Sequence, residues 1–159
     1  MKRRIFISMV SMMAMTVFAL PVHAEDKTTD LKAEVTSSYI LTIPKETTIA
    51  YQTLSNKLNG FLSVKGNVKA NEKVVVTATT KPLHCTVQDK DLPYKLMNGS
   101  VEFIQAEWNE EELRKELTAE GTGKNLQLTV DITKDAWDAA EAGSYEGSVM
   151  FNAKLAATP

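Results

Sequence analysis

The sequence predicts an all-β protein, a Greek-key β-sandwich with two short helical connections. Three observations carry this. From Tyr145 the odd positions Gly147, Val149, Phe151, Ala153 and Leu155 alternate with Glu146, Ser148, Met150, Asn152 and Lys154. A period of two over that length means a strand with one face in a core and the other in water. Seven to nine such short segments follow one another between turn signals, which is the spacing of a sandwich. Tyr145 opens its strand two residues past Gly143, the arrangement of the tyrosine corner, whose phenol bonds to backbone a few residues upstream. Tyr145, Gly143 and Trp137 are the expected structural residues of that corner, with Trp137 as the apolar plug just before it.

The N-terminus sets the compartment. Lys2-Arg3-Arg4 is a positive region, Ile5 to Leu20 is uncharged and apolar, Pro21 breaks it, and Val22-His23-Ala24 offers a cleavage site before Glu25-Asp26. These features define a secretory signal peptide over 1–24. Its apolar stretch of 16 residues is short against the ~20 that span a bilayer. Residues 25–30 are polar and read as a flexible leader, and 31–159 as one β-sandwich domain. Loss of Lys2, Arg3 and Arg4 leaves 15 basic against 20 acidic residues, a formal net charge of −5. With no basic run interleaved with aromatics, neither nucleic acid nor an anionic membrane is an expected partner. Cys85 is the single cysteine, so no intrachain disulfide forms. A core of this size does without one. The composition suits a secreted protein of a Gram-positive anaerobe, with a Gram-negative periplasm as the alternative.

Along the domain, Leu31, Ala33, Val35, Ser37, Tyr39, Leu41 and Ile43 alternate with polar neighbours as one long strand or two collinear ones, ended by Pro44. A second short strand is expected over 47–53, then a turn over 54–59. Gly60 to Val68 and Lys73 to Thr80 read as a hairpin around Ala70-Asn71-Glu72. Pro82 makes 83–87 an edge or irregular strand, and 88–93 a charged loop. Asn98-Gly99 is a strong hairpin signal between 94–97 and 100–108. A helix is expected over 109–119, capped by Asn109, with Glu110, Glu111 and Glu112 at its positive end. Leu126, Leu128, Val130 and Ile132 form the penultimate strand. A turn or two of helix over 133–142 is capped by Thr133 or Asp135, and its length implies a crossing between sheets.

The run Asp138-Ala-Ala-Glu-Ala-Gly-Ser-Tyr-Glu-Gly-Ser-Val-Met-Phe151 resembles the ending of bacterial secreted and cell-surface immunoglobulin-like domains, which lead an Ala-Gly-Thr-Tyr-Thr-Gly turn into a final Val/Phe strand. Tyr39-Ile-Leu-Thr-Ile-Pro44 resembles their opening strand. The resemblance implies an immunoglobulin-like fold and an adhesive or pilus-like role at the cell surface. The chain closes on Ala156-Ala157-Thr158-Pro159 without LPxTG or an apolar tail, so covalent wall attachment is not expected.

No motif carries catalysis. His84 and Cys85 are neighbours in an extended segment and point to opposite faces, so they form no dyad. Cys85 is the expected apolar packer. Asp131, Asp135, Asp138 and Glu141 lack the glycine-bearing loop of a calcium site. No enzyme, cofactor or metal is expected. Trp108, beside Tyr94 or Tyr51, would make a glycan platform if exposed, so Trp108 and Tyr94 are the candidate ligand-binding residues. Two roles follow: a secreted interaction or structural protein, binding a surface partner or a second copy by strand addition, or a small glycan- or ligand-binding module. The first predicts a long unpaired edge strand, the second two exposed aromatics on one face. The N-terminal alternation could pair within its own domain, the expected use, or be donated to a neighbour.

Mass spectrometry of the secreted protein should find Glu25 as its first residue, and deleting 2–24 should leave the protein in the cytoplasm. Uncleaved protein in the membrane fraction would instead make the N-terminus an anchor.

Overall fold

The computed structural model describes residues 30–117 and 123–158. The expected signal peptide, the leader up to residue 29 and the helical end at 118–119 lie outside the described residues. Residues 30–34 carry no regular secondary structure and are exposed. From residue 35 on, the chain is mostly β-strand, as expected. The strands are β1 (Ser38–Thr42), β2 (Ser55–Lys57), β3 (Leu62–Asn67), β4 (Glu72–Cys85), β5 (Lys90–Leu92), β6 (Lys95–Asn98), β7 (Val101–Glu102) and β8 (Gln105–Asn109). After helix α1 (Glu110–Leu117) come β9 (Asn125–Leu126), β10 (Leu128–Asp131), helix α2 (Lys134–Ala139) and β11 (Glu146–Ala157).

Three antiparallel sheets surround one core. The first has the order β1-β3-β9, the second β2-β10-β6-β7, and the third β11-β4-β5 with β8 also on β4. Strand β4 organises the third sheet. It pairs with β11 from Glu72↔Ala157 to His84↔Glu146, with β8 along Lys73–Thr77, and with β5 along Leu83–Cys85. The valines Val74 and Val76 lie fully inside, beside Leu62, Val64, Trp108, Leu113, Leu128 and Ile132. Tyr39 and Tyr94 pin β11 by donating their hydroxyls to Ala153 O at 2.9 Å and Ser148 O at 3.0 Å.

Several expectations change. The alternation that begins at Leu31 becomes strand only from Ser38, where β3 supplies a partner. No strand forms over 47–53. The expected turn at 54–59 instead holds β2, whose polar Ser55, Asn56 and Lys57 pair by main chain with β10. The segments 60–68 and 73–80 are strands but not a hairpin. They sit in different sheets and share the core, because the edges of β3 are taken by β1 and β9. Pro82 does not end β4: two residues, Pro82 and Leu83, stand opposite the single Gly147 of β11. This bulge breaks the ladder where proline has no N–H to give. The charged loop expected at 88–93 contains β5, reached through a turn with Asp89 at φ 53°.

Other expectations hold locally. The β6–β7 hairpin forms, its bend one residue on from the expected Asn98-Gly99: Asn98↔Val101 is the last pair, so Gly99 and Ser100 make the bend. Gly99 takes φ 62° in open space, so the glycine serves the backbone and not the packing. Past Glu102 the chain changes sheets: Phe103 N–H bonds Leu96 O at 2.8 Å, and Ile104 O accepts from Ala78 N–H at 3.2 Å. Helix α1 opens on a reciprocal cap. Asn109 Oδ1 accepts from Glu112 N–H at 2.9 Å, and Glu112 Oε2 accepts from Asn109 N–H at 3.0 Å. Its Leu113 is fully buried in the core.

A polar clasp joins the approach to β1 with the start of β4. Ser37 Oγ donates to Glu72 Oε2, and Lys69 N–H reaches both Ser37 Oγ and Glu72 Oε2 at 3.3 Å. The Ser37 hydroxyl holds the Glu72 carboxyl below the usual carboxylate range. Partial desolvation opposes it, while the Lys69 N–H and ammonium add to it. A depressed folded pKa favours the native state above the unfolded pKa, and the contribution fades as pH falls through the folded value. Ser37→Ala should therefore raise the Glu72 pKa in an NMR titration of the side-chain carboxyl. The stability gap between wild type and variant should narrow as the solution is acidified. An unmoved Glu72 titration would remove the clasp.

Candidate functional site at the Tyr145 corner

The corner is assembled from three connections. After β1 the chain bridges Lys45 to Asn59. Thr47 Oγ1 holds this return, accepting from Asn59 N–H at 2.9 Å and donating to Lys45 O at 3.0 Å. The segment then turns at Tyr51 and Gln52, with Gln52 at φ 62° and Thr53 N–H bonded to Ala50 O at 3.2 Å.

Helix α2 supplies the second wall. Thr133 is its N-cap, its hydroxyl accepting from Ala136 N–H at 3.1 Å. The cap fixes the helix so that Trp137 points inward, 8% exposed, with its indole N–H on Thr53 O at 3.0 Å. Tyr51, 70% exposed, stands on Trp137 in a T-shaped contact at 5.5 Å and 83°, the edge-to-face geometry that ring quadrupoles favour.

The third wall is the approach to β11. Tyr145 is half-buried. Its hydroxyl donates to Glu141 O at 3.0 Å and accepts from Glu141 N–H at 3.2 Å, so one phenol satisfies both main-chain groups of a single residue. Gln88 Nε2 ties the loop down through Ala142 O at 2.5 Å, and Cys85 Sγ donates to Gln88 Oε1. A Cβ on Gly143 would stand 2.6 Å from both Cys85 Sγ and Gln88 Oε1, so this glycine is required by close approach.

The walls enclose a groove of about 1140 Å³. Leu92 and Trp137, both buried, lie at its base with Leu83 and Tyr145. The exposed Glu46, Glu141 and Glu146 stand around it. Tyr145, Gly143 and Trp137, expected at one corner, all line this groove. Tyr51 completes it.

The platform expected from Trp108 and Tyr94 is not there. Trp108 is 0% exposed: β8 pairs with the first part of β4, Trp108 opposite Val74, and the indole turns into the core. Its N–H bonds Lys124 O at 2.9 Å, and the Lys124 ammonium lies 5.4 Å from the ring centroid. Tyr94 is half-buried, with its hydroxyl on Ser148 O. Burial pushes its pKa up. The Trp108 ring therefore offers no face for stacking, and Tyr94 stands without it.

The remaining polar candidates serve local structure. His84 Nδ1 meets Asp91 Oδ1 at 2.8 Å across the β4–β5 pair, while Cys85 is buried. Asp131 accepts from Ser55 Oγ at 2.6 Å and Thr129 Oγ1 at 3.1 Å, and Asp138 pairs with Lys134 at 2.5 Å. Among the described residues no group of three His, Cys, Asp or Glu could hold a metal ion, and no helix is long and apolar enough to cross a membrane. No protein-family model matches the chain, and no curated protein matches it either.

The corner carries a measurable stability. Tyr145→Phe removes the hydroxyl that serves Glu141 and should cost about 1 kcal/mol. Tyr145→Ala should cost ~2–3 kcal/mol, less than the ~3–5 of a fully buried aromatic because the ring is only half-buried. Urea unfolding measures both, and an unchanged midpoint in the alanine variant would deny the ring a structural role.

Proposed function

We propose that this chain is an exported, immunoglobulin-like Greek-key sandwich, a non-catalytic structural or interaction module of the cell surface that joins a second copy by strand addition. One observation carries the reading. Strand β11 is 12 residues long and, among the described residues, pairs with β4 alone. Apart from Ala153 O and Ser148 O, which accept the Tyr39 and Tyr94 hydroxyls, the outward N–H and C=O groups of this edge have no partner strand among the described residues and are a template for another chain. Its faces are differentiated as a partner strand requires: Val149, Phe151 and Ala153 pack on the core while Met150 is 66% exposed.

The occupant we assign is Leu31 to Thr36 of another copy. Leu31, Ala33 and Val35 alternate with Lys32, Glu34 and Thr36, and Leu31 and Val35 are 91% and 70% exposed. A six-residue segment spans roughly 20 Å as a strand, half the length of β11. Added there, it gives main-chain bonds for affinity and alternating side chains for register. The glycan reading has less support, since Trp108 is sealed and Tyr51 is the one exposed aromatic at the groove.

Truncation tests this directly. Removing 25–36 leaves every described strand and the Ser37–Glu72 bond in place. In sedimentation experiments residues 25–159 should associate as concentration rises. Residues 37–159 should remain monomeric, with an unchanged β-sheet circular dichroism spectrum. A monomeric 25–159 at every concentration would exclude donation, and so would an unfolded 37–159.

A further inference from the structure

We infer that the groove at the Tyr145 corner binds a peptide segment carrying a lysine or arginine next to an apolar side chain. The inference does not depend on strand addition, because the groove takes only Glu146 and Gly147 from the start of β11 and uses a different chemistry. The base of the groove is apolar, made by Leu83, Leu92 and Trp137. Three carboxylates, Glu46, Glu141 and Glu146, line it, and no lysine, arginine or histidine does. None of the three side chains has an ion pair or hydrogen bond among the described residues, whereas Glu72, Glu107 and Glu112 elsewhere are all engaged. Glu146 also borders the adjoining pocket with Lys81 and His84, but inside this groove three carboxylates without an ion pair stand over an apolar floor, a negative surface that suits a cationic group. The exposed Tyr51 ring adds a face for an ammonium or guanidinium.

Size and rigidity point to a peptide and not to a small amine. The volume of about 1140 Å³ exceeds the ~300–1,000 Å³ of ordinary small-molecule sites, which leaves room for several residues. The walls are fixed before any ligand arrives, by Tyr145 on Glu141, Gln88 on Ala142 and the Trp137 indole on Thr53. A wall that is already ordered costs little to bind against. A neutral sugar would leave the carboxylate charges uncompensated and would find one exposed ring to stack on.

The test is a 1H–15N titration of the exported chain, residues 25–159, with three probes. These are acetyl-Leu-Lys-Leu-Lys-amide, acetyl-Leu-Glu-Leu-Glu-amide and cellotetraose. The basic peptide should give saturable shifts in the amides of 46–51 and 141–147, and the acidic peptide none. The triple variant E46Q/E141Q/E146Q, which changes exposed side chains only, should weaken the basic peptide by about tenfold, as should raising NaCl from about 0.05 to about 0.5 M. Tyr51→Ala should weaken it as well, with unchanged amide positions of 141–147 in the free variant reporting an intact corner. Self-association along β11 would instead move the amides of 149–155, so the two surfaces are read separately. The inference is overturned by the absence of saturable shifts up to about 5 mM basic peptide, by equal binding to the triple variant, or by cellotetraose occupying the groove in place of the peptide.

Discussion

The ladder between β4 and β11 is the constraint on which the rest of the molecule depends. Its register places Val74 and Val76 opposite Leu155 and Ala153, and so fixes which face of the third sheet enters the core. A slip of one residue by β11 would turn Val149 and Phe151 to solvent while Val74 and Val76 stayed in the core. The same ladder positions the other edge of β4, where β8 brings Trp108 inside and β5 brings Leu92 beneath the groove. It also delivers Glu146 and Gly147 beside His84 and Pro82, next to the loop closed by Tyr145. Core, corner and free edge are three consequences of one pairing.

Periodicity in the sequence told which residues face inward far better than which strands are partners. Leu62, Val64 and Val68 in one segment and Val74 and Val76 in the next are all buried as their alternation implies. Their segments nonetheless pair elsewhere, because a period of two encodes a face and says nothing about a neighbour. The opposite case is β2. Ser55, Asn56 and Lys57 have no apolar alternation to detect, and they become a strand through main-chain bonds to β10 that only the folded arrangement supplies. Pro82 was read as making the next piece an edge or irregular strand, and the irregularity is there as a bulge opposite Gly147, although Leu83 to Cys85 continue β4. Local signals were more faithful: the Asn109–Glu112 cap, the Thr133 cap and the glycine bend at 99 depend on residues a few positions apart.

The corner was legible where its chemistry is local. Tyr145 and Glu141 are four residues apart, and the glycine between them marks the close approach to Cys85 and Gln88. Tyr51 was not placed by the sequence, since its contact with Trp137 joins positions far apart in the chain. For Trp108 the sequence left exposure open. An aromatic at the end of an alternating strand can close the core or decorate the surface, and its pairing with β4 opposite Val74 decided for the core.

The β4–β11 ladder also bears on how the chain acquires its structure. Its two strands are separated by α1, α2 and six other strands, so the third sheet consists largely of contacts distant in sequence, the kind that slow folding through the entropy of loop closure. Strand β11 lies at the very end of that order. A chain that emerges N-terminus first could build the β6–β7 hairpin and the helical caps early, yet β4 would lack its longest partner until β11 followed. Closure of the third sheet thus waits on the strand that comes last among the described elements, and the pieces made by local contacts are in place before it.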